Sequence, residues 1–311
     1  MDSREIDLGF VVPMGPLRSD TNSFVDDMDR WLEHIGDRVA GLWVTDHLEW
    51  SNEPMFEAWT VLTFAAARWP RLPLGTVVLG QDYRNPGLLA KMAATLQCLA
   101  TTSLVVGIGA GWKADEYESY GYHFASPGQR VAKLDETASI LRSLWTQPGP
   151  VTVEGDHYRV INAHCEPKPD PIPTLMIGGG GDRTTLIAAR QADWWSLPDC
   201  SPNVYAERLA VLERHCDTIG RDPHEIRRTW FGRLAVGRTE REAESLSDGE
   251  WTRANAIVGT VQQVHDRLDE FASLGVDYFT VDILGLDDPD IRALLTGDIL
   301  PRFSEQRGQR P

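Results

Sequence analysis

Two adjacent residues, Asp46 and His47, are placed to do proton chemistry. They follow the apolar run Gly41-Leu42-Trp43-Val44-Thr45, which puts a carboxylate and an imidazole together at the end of a strand. An imidazole titrates near neutrality and can shuttle a proton, while the neighbouring carboxylate can bind a ligand group or hold the loop. Of the eight histidines, His47 alone falls at a predicted strand end beside a carboxylate. A structural histidine, satisfied by its own loop, is the competing reading.

Two glycine clusters add a second kind of chemistry. Gly107, Gly109 and Gly111 alternate along the end of another strand and run into Trp112. Either a flat ligand lies close to backbone there, or the glycines relieve crowding in a tight loop. Gly178-Gly179-Gly180-Gly181 stands just ahead of a helix that carries Arg183. Free backbone N–H groups and the helix dipole suit such a loop to an anion, although many glycine loops are only tight turns. The chain has no GxSxG, HExxH, Cys/His cluster or P-loop lysine, so serine-hydrolase, zinc and NTPase chemistry lack support. No metal site is expected. The remaining acidic residues crowd helix faces and the end of the chain, as in Asp287-Asp288-Pro289-Asp290, and read as solvated.

These groups must be positioned by alternating strands and helices. Short apolar runs at 6–12, 41–45, 74–79, 104–108, 174–177, 192–197, 230–236 and 278–284 read as strands. Helical spacing covers 24–35, 53–69, 86–99, 131–145, 184–191, 204–219 and 262–274 between them. The stretch 72–112 contains one complete strand, loop, helix, strand unit, with Asn85-Pro86 as N-cap and first helical residue. Eight strands alternating with helices predict a single (β/α)8 TIM-barrel domain over residues 1–311, with a hairpin insertion at about 148–172. An open doubly wound sheet would carry its glycine fingerprint after the first strand, where this chain has Pro13-Met14-Gly15-Pro16. In a barrel the site forms at the carboxyl ends of the strands, where Asp46, His47 and both glycine clusters fall.

Composition narrows the partners. With 30 basic against 46 acidic residues, the net charge of −16 repels phosphates. That argues against nucleic acid or an anionic membrane, and requires local groups to hold any anionic cofactor. Cys98, Cys165, Cys200 and Cys216 show no pairing logic and read as reduced thiols. No window approaches a membrane span of about 18 apolar residues, and a cytoplasmic protein is expected.

Several segments taken together resemble the luciferase-like oxidoreductases, TIM barrels that bind a flavin or the deazaflavin coenzyme F420. They are GLWVTDH, LGTVVLGQDYRNPGLLAKMAATLQCL, LVVGIGAGWKADEYESYGYHF, IPTLMIGGGGDRTTLIAARQADWW and IVGTVQQVHDRL, in the expected order over nearly the whole chain. The YRNPGLLAKMAATL and GIGAGW wording is closer to the deazaflavin-dependent branch. That resemblance implies that Asp46 contacts the coenzyme and His47 exchanges a proton with substrate or coenzyme. It also implies a bulge with a cis non-proline peptide at about Val77-Val78, a ring seat formed with Gly80, Ala110 and Gly111, and a phosphate site at Gly179, Gly180, Gly181 and Arg183. Sugar-phosphate dehydrogenases of this branch carry glutamate where this chain has Trp112, so that substrate is not carried over. Trp50, Tyr83 and Trp112 instead suggest an apolar or aromatic-lined substrate side, or ordinary packing at the barrel mouth.

The expected activity is hydride transfer between the deazaflavin and a small substrate with a carbonyl, imine or activated double bond. The resemblance also implies a homodimer. Two alternatives remain: an FMN-dependent monooxygenase fed by a separate reductase, and a flavin-binding barrel without catalysis.

Overall fold

The strands owe their places to β-branched and aromatic runs too short for helices, and the helices to longer stretches with one apolar face, several of them opened by a side-chain cap. A computed structural model describes residues 5–15, 23–50, 55–246 and 252–304. In chain order the first half holds β1 (Asp7–Val11), α1 (Phe24–Ile35), β2 (Val39–Val44), α2 (Ala58–Arg68), β3 (Leu74–Thr76), β4 (Leu79–Gly80), α3 (Pro86–Leu99), β5 (Leu104–Gly109), α4 (Ala114–Ser119) and α5 (Pro127–Thr146). The second half holds β6 (Val151–Glu154), β7 (Arg159–Ala163), β8 (Thr174–Gly178), α6 (Asp182–Gln191), β9 (Trp194–Pro198), α7 (Pro202–Ile219), β10 (Arg227–Gly237), α8 (Glu240–Ser245), β11 (Ile257–Thr260), α9 (Val261–Ser273), β12 (Val276–Ile283) and α10 (Pro289–Leu294).

The parallel sheet closes on itself in the order β1, β2, β3/β4, β5, β8, β9, β10, β12 and back to β1. Register partners such as Phe10↔Leu42, Gly107↔Met176, Phe231↔Pro198 and Phe231↔Thr280 hold the ring together. This is the eight-stranded barrel expected from the sequence, with β6 and β7 as the antiparallel hairpin. β11 is an additional strand on the extended end of β10. The third barrel strand is broken into β3 and β4 around a cis peptide between Val77 and Val78, where the resemblance placed it.

Period-two alternation sends every second side chain into the barrel. At the amino-terminal end Trp43 fills the interior: a Cβ on Gly9 or on Gly75 would lie 2.4 Å from its ring. The Trp43 indole donates to the Tyr278 hydroxyl at 2.9 Å. Below it, Arg227 lies over the rings of Trp194 and Tyr278 and pairs with Asp7 and Asp277. The barrel is thereby plugged from underneath, so a ligand enters from the carboxyl end.

One helix start read from the sequence is built as expected, and two others carry capping boxes. Asn85 accepts from the Gly87 and Leu88 N–H groups ahead of Pro86. Ser126 and Gln129 form a capping box at α5, and Thr260 and Gln263 another at α9. The predicted helix over 53–69 is shorter than expected. It begins at Ala58 because the Glu57 carboxylate caps it, accepting from the Trp59 and Thr60 N–H groups; positions 53 and 54 lie outside the described residues.

Candidate active site

The side chains singled out from the sequence gather around the carboxyl ends of β2, β4, β5 and β8. His47 follows β2 and is 19% exposed. Its Nδ1 lies 3.0 Å from Glu116 Oε2, on α4. The other Glu116 oxygen accepts the backbone N–H groups of Leu48 and Glu49. Burial alone would raise the Glu116 pKa, but the His47 contact and those two N–H groups hold it below its ordinary value. Glu116 is thus an ionised acceptor, which assigns the proton to His47 Nδ1 and leaves Nε2 to a ligand. Glu116 was read as one of the solvated acids; its side chain is 1% exposed. The one-turn helix that carries it has too few residues to leave a period in the sequence.

Asp46 is turned into the protein. Its carboxylate takes a two-pronged contact from Arg84 at 2.8 and 3.0 Å and the Gly80 N–H at 2.9 Å. Arg84 also pairs with Glu57. Burial opposes the charge on Arg84, but the two carboxylates outweigh it and its pKa is raised. Asp46 therefore ties the end of β2 to the backbone just past the Val77-Val78 bulge. Arg84, which the sequence did not flag, makes that tie rigid.

The alternate glycines of β5 answer the question left open above. A Cβ on Gly107 would lie 2.1 Å from the Thr76 carbonyl oxygen, and one on Gly109 2.7 Å from the Val78 side chain. Gly178 on β8 faces the same valine, at 2.8 Å. These three glycines make room for the bulge, and Val78 is half-buried at the floor of the mouth. Gly111 has φ +76°, and a Cβ there would lie 2.1 Å from the Tyr117 hydroxyl.

Aromatic rings form the side wall. Trp50 and Trp112 stand edge-on to His47, with centroids at 4.9 and 5.8 Å. Trp112 is 65% exposed. Tyr83 packs between Tyr117 and Tyr122, and burial with the nearby Glu116 carboxylate pushes its phenol pKa up. Lys113 is buried, with Nζ 5.7 Å from the Trp50 ring centroid and paired to Asp115.

Across the mouth, Gly179, Gly180 and Gly181 lead from β8 into α6, whose N-cap is Gly181 with no side-chain cap. Gly179 spends its N–H on Ser196. A Cβ on Gly180 would lie 2.6 Å from Leu197 and 3.2 Å from Arg208. Arg183 and Arg208 are exposed beside this uncapped helix start, and neither has an ion-pair partner among the described residues. Asp182, on the first turn of α6, pairs with Arg214 and His215, which leaves Arg183 and Arg208 open to an anionic ligand. Among the described residues no group of three or more His, Cys, Asp or Glu is arranged to hold a metal, and no helix is long and apolar enough to cross a membrane.

A closed parallel barrel with a histidine–glutamate pair and an anion-ready glycine loop at its carboxyl mouth defines the class of luciferase-like oxidoreductases. Residues 39–255 match the family described as luciferase-like monooxygenase, and the chain belongs to that family. It is 29% identical over 241 residues to the F420-dependent glucose-6-phosphate dehydrogenase of Kineococcus radiotolerans, covering 74% of this chain and 69% of that protein. It is 30% identical over 212 residues to the phthiodiolone/phenolphthiodiolone dimycocerosates ketoreductase of Mycobacterium kansasii, covering 67% of this chain and 57% of the relative. The fold matches an F420-dependent secondary alcohol dehydrogenase in complex with an F420-acetone adduct, with a TM-score of 0.81, 18% identity, and coverage of 97% and 100%. It also matches monooxygenase RslO1 from Streptomyces bottropensis, at 0.80 and 20% over 96% and 100%.

Proposed function

We propose that the chain transfers a hydride between the deazaflavin coenzyme F420 and a small organic substrate that carries a carbonyl, imine or activated double bond. The observation that carries this reading is the His47–Glu116 pair, set at the same barrel mouth as a glycine helix start without a side-chain cap, flanked by Arg183 and Arg208, which have no ion-pair partner among the described residues. The similarity to F420-dependent relatives supports the choice of coenzyme.

The residues present fit such a coenzyme. Gly179, Gly180 and Gly181 with Arg183 would hold its phosphate, and Val77, Val78, Gly80, Ala110 and Gly111 would seat the ring. Asp46 would act on the ring through the Gly80 backbone it anchors. When bound, the deazaflavin supplies a planar two-electron hydride carrier. In the reducing direction protonated His47 would give the substrate's carbonyl oxygen a proton from Nε2 as that oxygen takes up the C=O π pair. In the oxidising direction neutral His47 takes the hydroxyl proton. Glu116 holds the imidazole in one orientation for both. Trp50, Tyr83 and Trp112 exclude water on the substrate side. A homodimer is part of this reading, and light scattering checks it.

The test is anaerobic turnover of purified protein with reduced F420 and a panel of ketones, imines and enones. Oxidation of the coenzyme that depends on substrate and is lost in His47→Ala is the expected result. Turnover only with reduced FMN and oxygen would replace this reading with a monooxygenase; binding without turnover would leave a carrier barrel.

A further inference from the structure

The glycine loop proposed above to hold the phosphate opens on Gly179, and that residue is pinned from both sides. Its N–H donates to the Ser196 carbonyl at 2.9 Å. Its own carbonyl accepts the Trp195 indole N–H, with Nε1 2.9 Å from the oxygen. This pose has a φ of +118°, which glycine adopts and a side chain opposes.

Trp195 faces away from the barrel interior. Its neighbour Trp194 packs inward against Trp43 and Tyr278, so alternation along β9 turns Trp195 toward the helix layer. There it is fully buried, and its ring centroid lies 5.2 Å from that of Tyr205, on α7. The Tyr205 hydroxyl in turn donates to the Thr229 carbonyl, on β10. Packing therefore fixes the indole donor, and the Gly179 carbonyl it holds is drawn out of the barrel. The Gly179–Gly180 peptide is trans, which sets its C=O and its N–H on opposite sides of the bond. With the carbonyl drawn outward, the Gly180 N–H is aimed back toward the mouth. Among the described residues that N–H and the Gly181 N–H donate to no protein acceptor.

We infer that Trp195 is a positioning residue for the coenzyme phosphate: its indole turns the first peptide of the glycine loop so that the Gly180 N–H faces the anion before the coenzyme arrives. The inference rests on the coenzyme reading above, and Trp195 acts through Gly179 rather than by contact with the coenzyme. A donor set in place beforehand adds affinity without a cost of reorganisation. Without the indole, the carbonyl is left buried and unpaired, or the peptide turns over and aims its N–H away from the mouth.

The experiment compares F420 with the same deazaflavin lacking the phosphate and tail, titrated by fluorescence into wild type and Trp195→Phe. The phenyl ring keeps much of the packing and removes the donor. F420 affinity should fall about 5- to 20-fold, and that of the truncated ring should stay within about twofold. At saturating F420, kcat should be retained while KM for F420 rises. An equal loss for both ligands would assign Trp195 to packing alone, and an unchanged F420 affinity would remove its role; either result overturns the inference. Where Trp195→Phe does not fold, the wild-type indole proton carries the test by NMR. An anion on the Gly180 N–H polarises the peptide and strengthens the Trp195 bond, so the Trp195 resonance should move downfield with F420 and stay in place with the truncated ring. A resonance that ignores F420 would overturn the inference.

Absence of F420 binding in wild type would count against the deazaflavin reading alone. FMN and riboflavin then form the pair, and Trp195→Phe should weaken FMN by the same factor and leave riboflavin unchanged. A wild type that holds neither phosphorylated ring more tightly than its truncated partner refutes the positioning role as well.

Discussion

Glu116, on the helix that follows β5, holds His47, at the end of β2, through a 3.0 Å contact to Nδ1. The same carboxylate grips the backbone of Leu48 and Glu49. One buried anion therefore sets both the imidazole and the loop that carries it. Glu116→Gln should lower kcat by about 10- to 100-fold with a smaller change in KM. It should also change the acid limb of the pH profile, because the Glu116 carboxylate, which titrates below its ordinary value, is removed. Glu116→Asp should recover part of the rate. A parallel loss of kcat and coenzyme affinity, with an unmoved profile, would assign Glu116 to structure alone.

The same group makes stability depend on pH. Its folded pKa lies below the ordinary value of 4.5. Its contribution is therefore complete above about pH 4.5 and disappears as pH falls through the lower folded value. Melting curves of wild type and Glu116→Gln should be separated at pH 6 to 7 and converge in the acid range. Curves that diverge further as pH falls would show that the carboxylate is not the stabilising form.

Arg84 neutralises Asp46, whose side chain is 1% exposed. Arg84→Ala leaves a buried carboxylate unpaired, and should cost about 3 to 5 kcal/mol in chemical denaturation. Arg84→Lys keeps the charge but loses the two-pronged geometry, and should fall between wild type and Arg84→Ala.

Gly111 and Tyr117 are coupled sterically. Tyr117 is buried and its hydroxyl has no hydrogen-bond partner among the described residues, so Tyr117→Phe alone should stay within about 1 kcal/mol of wild type. Gly111→Ala places a methyl 2.1 Å from that hydroxyl at a φ of +76°. It should lose more than about 1 kcal/mol. In the double variant part of the loss should return, and a double-mutant cycle measures how much.

The barrel was legible because each strand is a short apolar run bounded by helical or turn-forming segments, and all eight fall where those runs are. His47 and the glycine loop at 178–181 were legible for the same reason, since they terminate such runs. The role of Gly107 and Gly109 was not, because spacing cannot distinguish a ligand from the Val78 side chain that fills the space. Glu116 and Arg84 were also missed. Each acts on a partner distant in sequence, and only the closed barrel brings them together.

The central claim is that this mouth seats a deazaflavin by its ring and its phosphate, and fluorescence titration with F420 and with FMN tests it most directly. Saturable F420 binding, at least about tenfold tighter than FMN and weakened about 5- to 20-fold in Arg183→Gln/Arg208→Gln, is the expected result. Failure to bind F420, or binding that ignores both arginines, would contradict it.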